Sequence, residues 1–219
     1  MNATAGRIRI VACGALAHEL SALRRSCPTI DGNESVFEIS CLPPELHNTP
    51  DAIPAAVEAQ IIEAKAAGER VFVAYADCGT GGLLDAVLVK HQVDRLPGAH
   101  CYEFYAGSEA FAKMADEEPG TFYLTDFLVR HFERLVVQSL GIDRHPELIN
   151  DYFRHYRRVV YLRQSDKAGD SEQAKEIATR LGLHYEEVVT GLGDLAQATQ
   201  QWLKQRGLQL VTETAEAVV

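Results

Sequence analysis

Cysteine is the residue type whose placement in this chain could do chemistry. Four of the five cysteines stand where a short apolar run gives way to other residues. They are Cys13 in Cys13-Gly14, Cys41 after Ile39-Ser40, Cys78 in Asp77-Cys78-Gly79, and Cys101 in His100-Cys101. Cys27, in Ser26-Cys27-Pro28, reads as a helix exit and is expected to be structural or incidental. Thiolates are the ligands of zinc and of iron–sulfur clusters, and a thiolate is also a potent nucleophile. Packing is the competing account, since free cysteine is among the most buried residue types. Four thiols that converge on one crevice favour a shared site. The spacings are long and contain no CxxC pair, so that convergence rests on topology rather than on a local motif.

Other groups qualify as partners. His47, held in the Pro-rich stretch from Leu42 to Pro50, is the best imidazole for a fourth ligand position or a substrate contact. In Asp77-Cys78-Gly79-Thr80-Gly81-Gly82-Leu83 a strand runs into a Gly-rich turn and then a helix. Free backbone N–H groups in such a turn bind anions, which makes Gly79, Thr80 and Gly81 candidate ligand-binding residues. A cysteine at a helix start has a depressed pKa, so Cys78 is expected to be a thiolate, fit either for a metal or for attack as a nucleophile. The stretch is neither a P-loop nor GxGxxG, and a tight turn needing glycine for positive φ is the plainer reading of it. Cys13-Gly14-Ala15-Leu16-Ala17-His18-Glu19 repeats the pattern of strand, Cys-Gly and helix; Glu19 there suits the helix dipole. Glu103, two residues after Cys101, is expected on the same strand face and is a candidate acid or base. His100, next to Cys101, should point the other way.

The elements that would position these groups alternate. Strands are expected at 7–12, 36–40, 71–76, near 99–102, at 159–162 and 184–189, with 208–211 as an edge. Helices are expected at 19–25, 53–67 with Gly68 as its C-cap, 83–91, 108–116, 126–140, 146–156, 171–181 and 194–206. This order predicts an α/β fold: an open, mostly parallel sheet with helices on both faces, plus a helical insert near 108–156 able to form a second lobe. One domain spans 1–211, and the polar tail 212–219 is expected to fray. In open sheets of this kind, ligands bind beyond the carboxyl ends of the strands, where the cysteines fall.

Bulk properties narrow the function classes. The formal net charge is −10, which opposes binding to phosphate backbones, so nucleic acid is not an expected partner. The basic group Arg154, His155, Arg157 and Arg158 reads as a helix-end or surface feature. No apolar run is long enough to span a membrane, and Met1–Arg7 has no signal-peptide core. A cytoplasmic location follows as an expectation, and an odd number of cysteines in a reducing compartment implies thiols rather than disulfides.

The chain resembles the family catalogued as domain of unknown function 1638. The resemblance rests on Ala12-Cys13-Gly14-Ala15-Leu16 with Glu19-Leu20, Leu46-His47-Asn48 with Pro50, Asp77-Cys78-Gly79-Thr80-Gly81-Gly82, Cys101 with Gly107-Ser108, and Gly120-Thr121-Phe122-Tyr123-Leu124-Thr125. It covers roughly residues 7 to 190. It implies Asp at the position of His100 in many members and no cysteine at that of Cys41, so Cys13, Cys78 and Cys101 rank first. It also implies a place beside corrinoid-dependent methyltransferase systems in one-carbon metabolism. The expected function is a cysteine-ligated metal centre, zinc or iron–sulfur, with Cys13, Cys78, Cys101 and His47 as ligands. Its partners would be a small-molecule substrate or corrinoid-system proteins. A non-catalytic metal or corrinoid carrier, and a metal-free enzyme using Cys78, are the alternatives.

Overall fold

A computed structural model describes residues 7–25, 29–30, 34–35, 37–167 and 169–205. The expected edge strand at 208–211, the tail at 212–219 and Cys27 lie outside the described residues. The chain divides into two compact units, one made of the residues up to Cys101 with those from Leu195, the other of Tyr102–Asp194.

The first unit opens with β1 (Ile8–Cys13) and α1 (Ala17–Arg25). A two-stranded antiparallel ribbon of β2 (Thr29–Ile30) and β3 (Glu34–Ser35) follows, then β4 (Phe37–Leu42) and α2 (Ile53–Ala66). Next come β5 (Arg70–Ala74), α3 (Leu83–His91) and the short β6 (Asp94–Arg95). Ile8, Ile10, Val11, Ala12, Val73 and Ala74 are all fully buried. Successive strand residues face opposite ways, so consecutive burial means that β1 and β5 are covered on both faces, as strands of a parallel sheet are. The sheet runs β4-β1-β5-β6, and every pair is parallel. The chain therefore steps from β1 to one side and then crosses back to the other. In open sheets the ligand crevice lies at that reversal, beyond the carboxyl ends of the central strands.

The second unit holds α4 (Glu103–Ala106), α5 (Ser108–Glu117), β7 (Thr121–Thr125), α6 (Asp126–Arg130), α7 (Leu148–Phe153), β8 (Arg158–Arg163), α8 (Asp170–Leu181) and β9 (His184–Val189). The last helix, α9 (Gly193–Gln205), leads back to the first unit. The three strands form a second parallel sheet, β7-β8-β9. Two parallel sheets with helices match the expected α/β class. The 108–156 stretch is rich in helix, as expected, but it also supplies β7, whose Leu124 is fully buried. The pattern was hidden because Thr121-Phe122-Tyr123-Leu124-Thr125 follows Pro119-Gly120 directly and runs without a break into α6. The helix expected at 126–140 is also divided: α6 stops at Arg130 and a π turn covers Glu133–Gln138. That wider turn lets three consecutive residues, Leu135, Val136 and Val137, all bury.

At the carboxyl end of β7, Asp126 is buried and satisfied. It accepts the Tyr161 hydroxyl at 2.7 Å and the Gln164 N–H at 3.0 Å, and Arg130 bridges it to Asp170. Arg158, from the basic group, pairs with Glu186 across β8 and β9. No helix among the described residues is long and apolar enough to cross a membrane. Tyr161→Phe is expected to lower unfolding stability by about 1.5–3 kcal/mol, the scale of a hydrogen bond to a charged group. Urea denaturation checks this, with thiol reactivity in the first unit unchanged.

Candidate thiol site

Three turns converge at the carboxyl ends of β4, β1 and β5. Cys13 is the last residue of β1, opposite Leu42 on β4. A Cβ on Gly14 would lie 2.9 Å from the Leu42 carbonyl and 2.9 Å from Pro44 Cδ, so only glycine lets these two turns meet so closely. The Pro-rich loop that carries His47 then continues to Pro50, whose ring stands beside Gly79. Beyond β5 the chain does not stop pairing: the Asp77 N–H donates to the Gly98 carbonyl at 3.1 Å and the Cys78 N–H to that of Ala99 at 2.9 Å. Those two bonds carry Cys101 to Cys78, and their sulfurs lie 3.2 Å apart.

The Gly-rich turn has an internal anion. Asp77 accepts the Thr80 hydroxyl at 2.7 Å, the Gly81 N–H at 3.1 Å and the Gly82 N–H at 2.9 Å. These donors hold its carboxyl below the usual range, the Thr80 hydroxyl contributing most. Thr80 and Gly81, expected to bind a ligand, thus spend those donors on Asp77. The turn also forces Cys78 to φ +49°, one of two non-glycine residues among those described with positive φ. Such a backbone costs about 1–3 kcal/mol and gathers at functional sites.

The thiols differ by environment. Cys13 is not activated: burial pushes its pKa up to about 11, overriding the Ala15 N–H that lowers it. Cys78 is lowered, but not by a helix terminus, since α3 begins five residues later at Leu83. The Cys101 thiol, donating to it, is the largest cause, and the Cys101 and Ala76 backbone N–H groups add to it against desolvation. Cys101 is raised in turn, because it keeps the proton the pair shares. Tyr75, 1% exposed, carries no signal of its own in the sequence because it sits in a largely apolar run. Its buried hydroxyl meets no full hydrogen bond. Desolvation raises it first and the charges of Cys13, Cys101 and Cys78 after that, so it stays a neutral donor amid the thiols.

The remaining candidates are placed as follows. Cys41 is exposed within β4 rather than beyond it. His47 is exposed, and desolvation, then the nearby His100, lowers its pKa. Cys101 lies in a turn, not on a strand. The strand expected at 99–102 is a bend, with β6 instead at Asp94–Arg95, so the alternating-face argument for His100 and Glu103 does not hold. Glu103 opens α4 in the second unit. Among the described residues, no group of three or more His, Cys, Asp or Glu side chains stands placed to hold a metal ion.

Alkylation requires the thiolate, so a lowered pKa moves its onset to lower pH. With iodoacetamide, read peptide by peptide, Cys78 is expected to react at lower pH than Cys13. Cys101→Ala should shift the Cys78 profile to higher pH by removing its main donor. An unchanged profile would show that the pairing does not set its reactivity.

No curated protein and no solved structure matches the chain. A family model does, over residues 41–199. That span includes Cys41, His47, Cys78 and Cys101 and begins after Cys13. The chain belongs to the family described as "Protein of unknown function (DUF1638)".

Proposed function

We propose that this chain works through a soft-metal centre, zinc or an iron–sulfur cluster, bound by thiolates at the carboxyl ends of β1 and β5. Cys78, Cys101 and Cys13 are the protein ligands. The observation that carries this reading is the 3.2 Å approach of the Cys78 and Cys101 sulfurs. Two thiolates that close repel each other, and a single shared proton relieves that repulsion only in part. A cation in the proton's place relieves it fully, and soft sulfur donors select zinc or iron–sulfur centres.

Cys13 supplies the third thiol; it interacts electrostatically with Cys78. Ligation by all three requires Cys13 to turn its sulfur toward the pair. Metal binding would drive off its proton, and the Tyr75 hydroxyl would then donate to the thiolate that forms. His47, or a substrate, completes the set, as catalytic sites keep one position open. Methyl transfer within a corrinoid or one-carbon system is the reaction class this reading assigns, as enzyme or as carrier. A second reading, catalysis by Cys78 without metal, is favoured by the positive φ at Cys78, a strained backbone of the kind that gathers at functional sites.

Elemental analysis with a visible spectrum, on anaerobically prepared protein, separates the two. Stoichiometric zinc or iron is expected. Cys13→Ser, Cys78→Ser and Cys101→Ser should each lower it at least several-fold, while His47→Ala should retain most of it. Metal-free wild type would leave the Cys78 reading.

A further inference from the structure

We propose that Cys78 and Cys101 form a redox-active dithiol that exchanges with small-molecule disulfides, with Cys78 as the attacking sulfur and Cys101 as the resolving one. The inference goes beyond the metal reading and does not depend on it.

The geometry is specific. The two sulfurs are 3.2 Å apart, and a disulfide bond is about 2.05 Å long, so closure needs an approach of only about 1.2 Å. The partners are 23 residues apart in sequence, yet the chain is pinned on either side of the contact. Asp77 and Cys78 are tied to Gly98 and Ala99 by the paired backbone bonds, and the Asp77 carboxylate locks the turn through Thr80, Gly81 and Gly82. Cys101 itself follows a bend at 98–100 and lies in a turn, outside any helix or strand, so the required approach falls on a loop and leaves both sheets unchanged. Cys101 is half-buried and gives the pair its contact with solvent, whereas Cys78 and Cys13 are both buried. The nearby Tyr75 hydroxyl sets Cys13 apart from the pair.

Exchange balances without further reagents. The Cys78 thiolate attacks one sulfur of a disulfide RSSR; that S–S bond breaks and RS⁻ leaves, giving a Cys78–SR mixed disulfide. Cys101 gives up its proton and attacks the Cys78 sulfur, releasing the second RS⁻. The protein dithiol is oxidised by two electrons, RSSR is reduced to two RSH, and the two thiol protons leave with them. Closing the bond would also remove two donors from any metal held there.

The test uses the full chain, as isolated and after chelation, equilibrated anaerobically with glutathione and glutathione disulfide at graded ratios. The reaction is acid-quenched, free thiols are alkylated, and tryptic peptides are weighed. Cys78 falls in peptide 71–90 and Cys101 in 96–113. Oxidising ratios are expected to link these two peptides with loss of two hydrogens, reversibly, in wild type and in Cys13→Ser. Cys101→Ser should instead trap Cys78 as a glutathione mixed disulfide. A link that forms only after chelation supports both readings, and a link in protein shown to be metal-free supports the dithiol alone. If both thiols stay alkylatable at every ratio, with and without chelation, or if either pairs with Cys13 or Cys41 instead, the proposal is wrong.

Discussion

Strand β1 is hydrogen-bonded to β4 on one side and β5 on the other and is buried on both faces. A slip in its register would carry Arg9, paired with Glu69, to the opposite covered face and break both ladders. That constraint fixes the height at which Cys13 leaves the sheet. It also fixes where the Leu42–Pro44 turn and the Asp77–Cys78 turn must pass. The thiol site is a consequence: three chain exits held at one level by parallel pairing. The close approach at Gly14, with no room for a Cβ, shows how little slack the arrangement has.

Opposing electrostatic effects then give each sulfur its character. Desolvation alone would raise every buried thiol, and it wins at Cys13, which meets only modest donors. At Cys78 it loses, because Cys101 donates its proton and backbone N–H groups add to it. Protonation is therefore unequal within one cluster, with the strained turn carrying the more acidic sulfur. A shared proton, a shared metal ion and a sulfur–sulfur bond are three ways of resolving the same close contact.

Much of this was legible in the residues. Short, largely apolar runs identified β1, β5 and β8, and strands buried on both faces need no alternation. The repeated strand, Cys-Gly and helix pattern marked both Cys13 and Cys78, and the strands that lead to them, β1 and β5, lie side by side. What escaped was of two kinds. β7 was missed because its five residues lie between a Pro-Gly break and a helix with no turn signal of their own. The true reason for the lowered Cys78 pKa was missed because it is a long-range contact, made by bonds from 77–78 to 98–99 that leave no local trace. Tyr75 looked like core, and only the thiols around its hydroxyl make it more. Glu103 was tied to Cys101 by a strand that is in fact a turn, an error of period over four residues.

The metal centre requires Cys78 and Cys101 to present two thiolates to one soft cation. Cobalt(II) titration of the reduced, anaerobic, metal-depleted chain, followed by visible and near-ultraviolet absorption, measures this. Intense sulfur-to-cobalt charge-transfer bands with tetrahedral d–d bands are expected, saturating at one ion per chain and abolished by Cys78→Ser. Weak octahedral absorption without charge transfer, unchanged by that substitution, would contradict it.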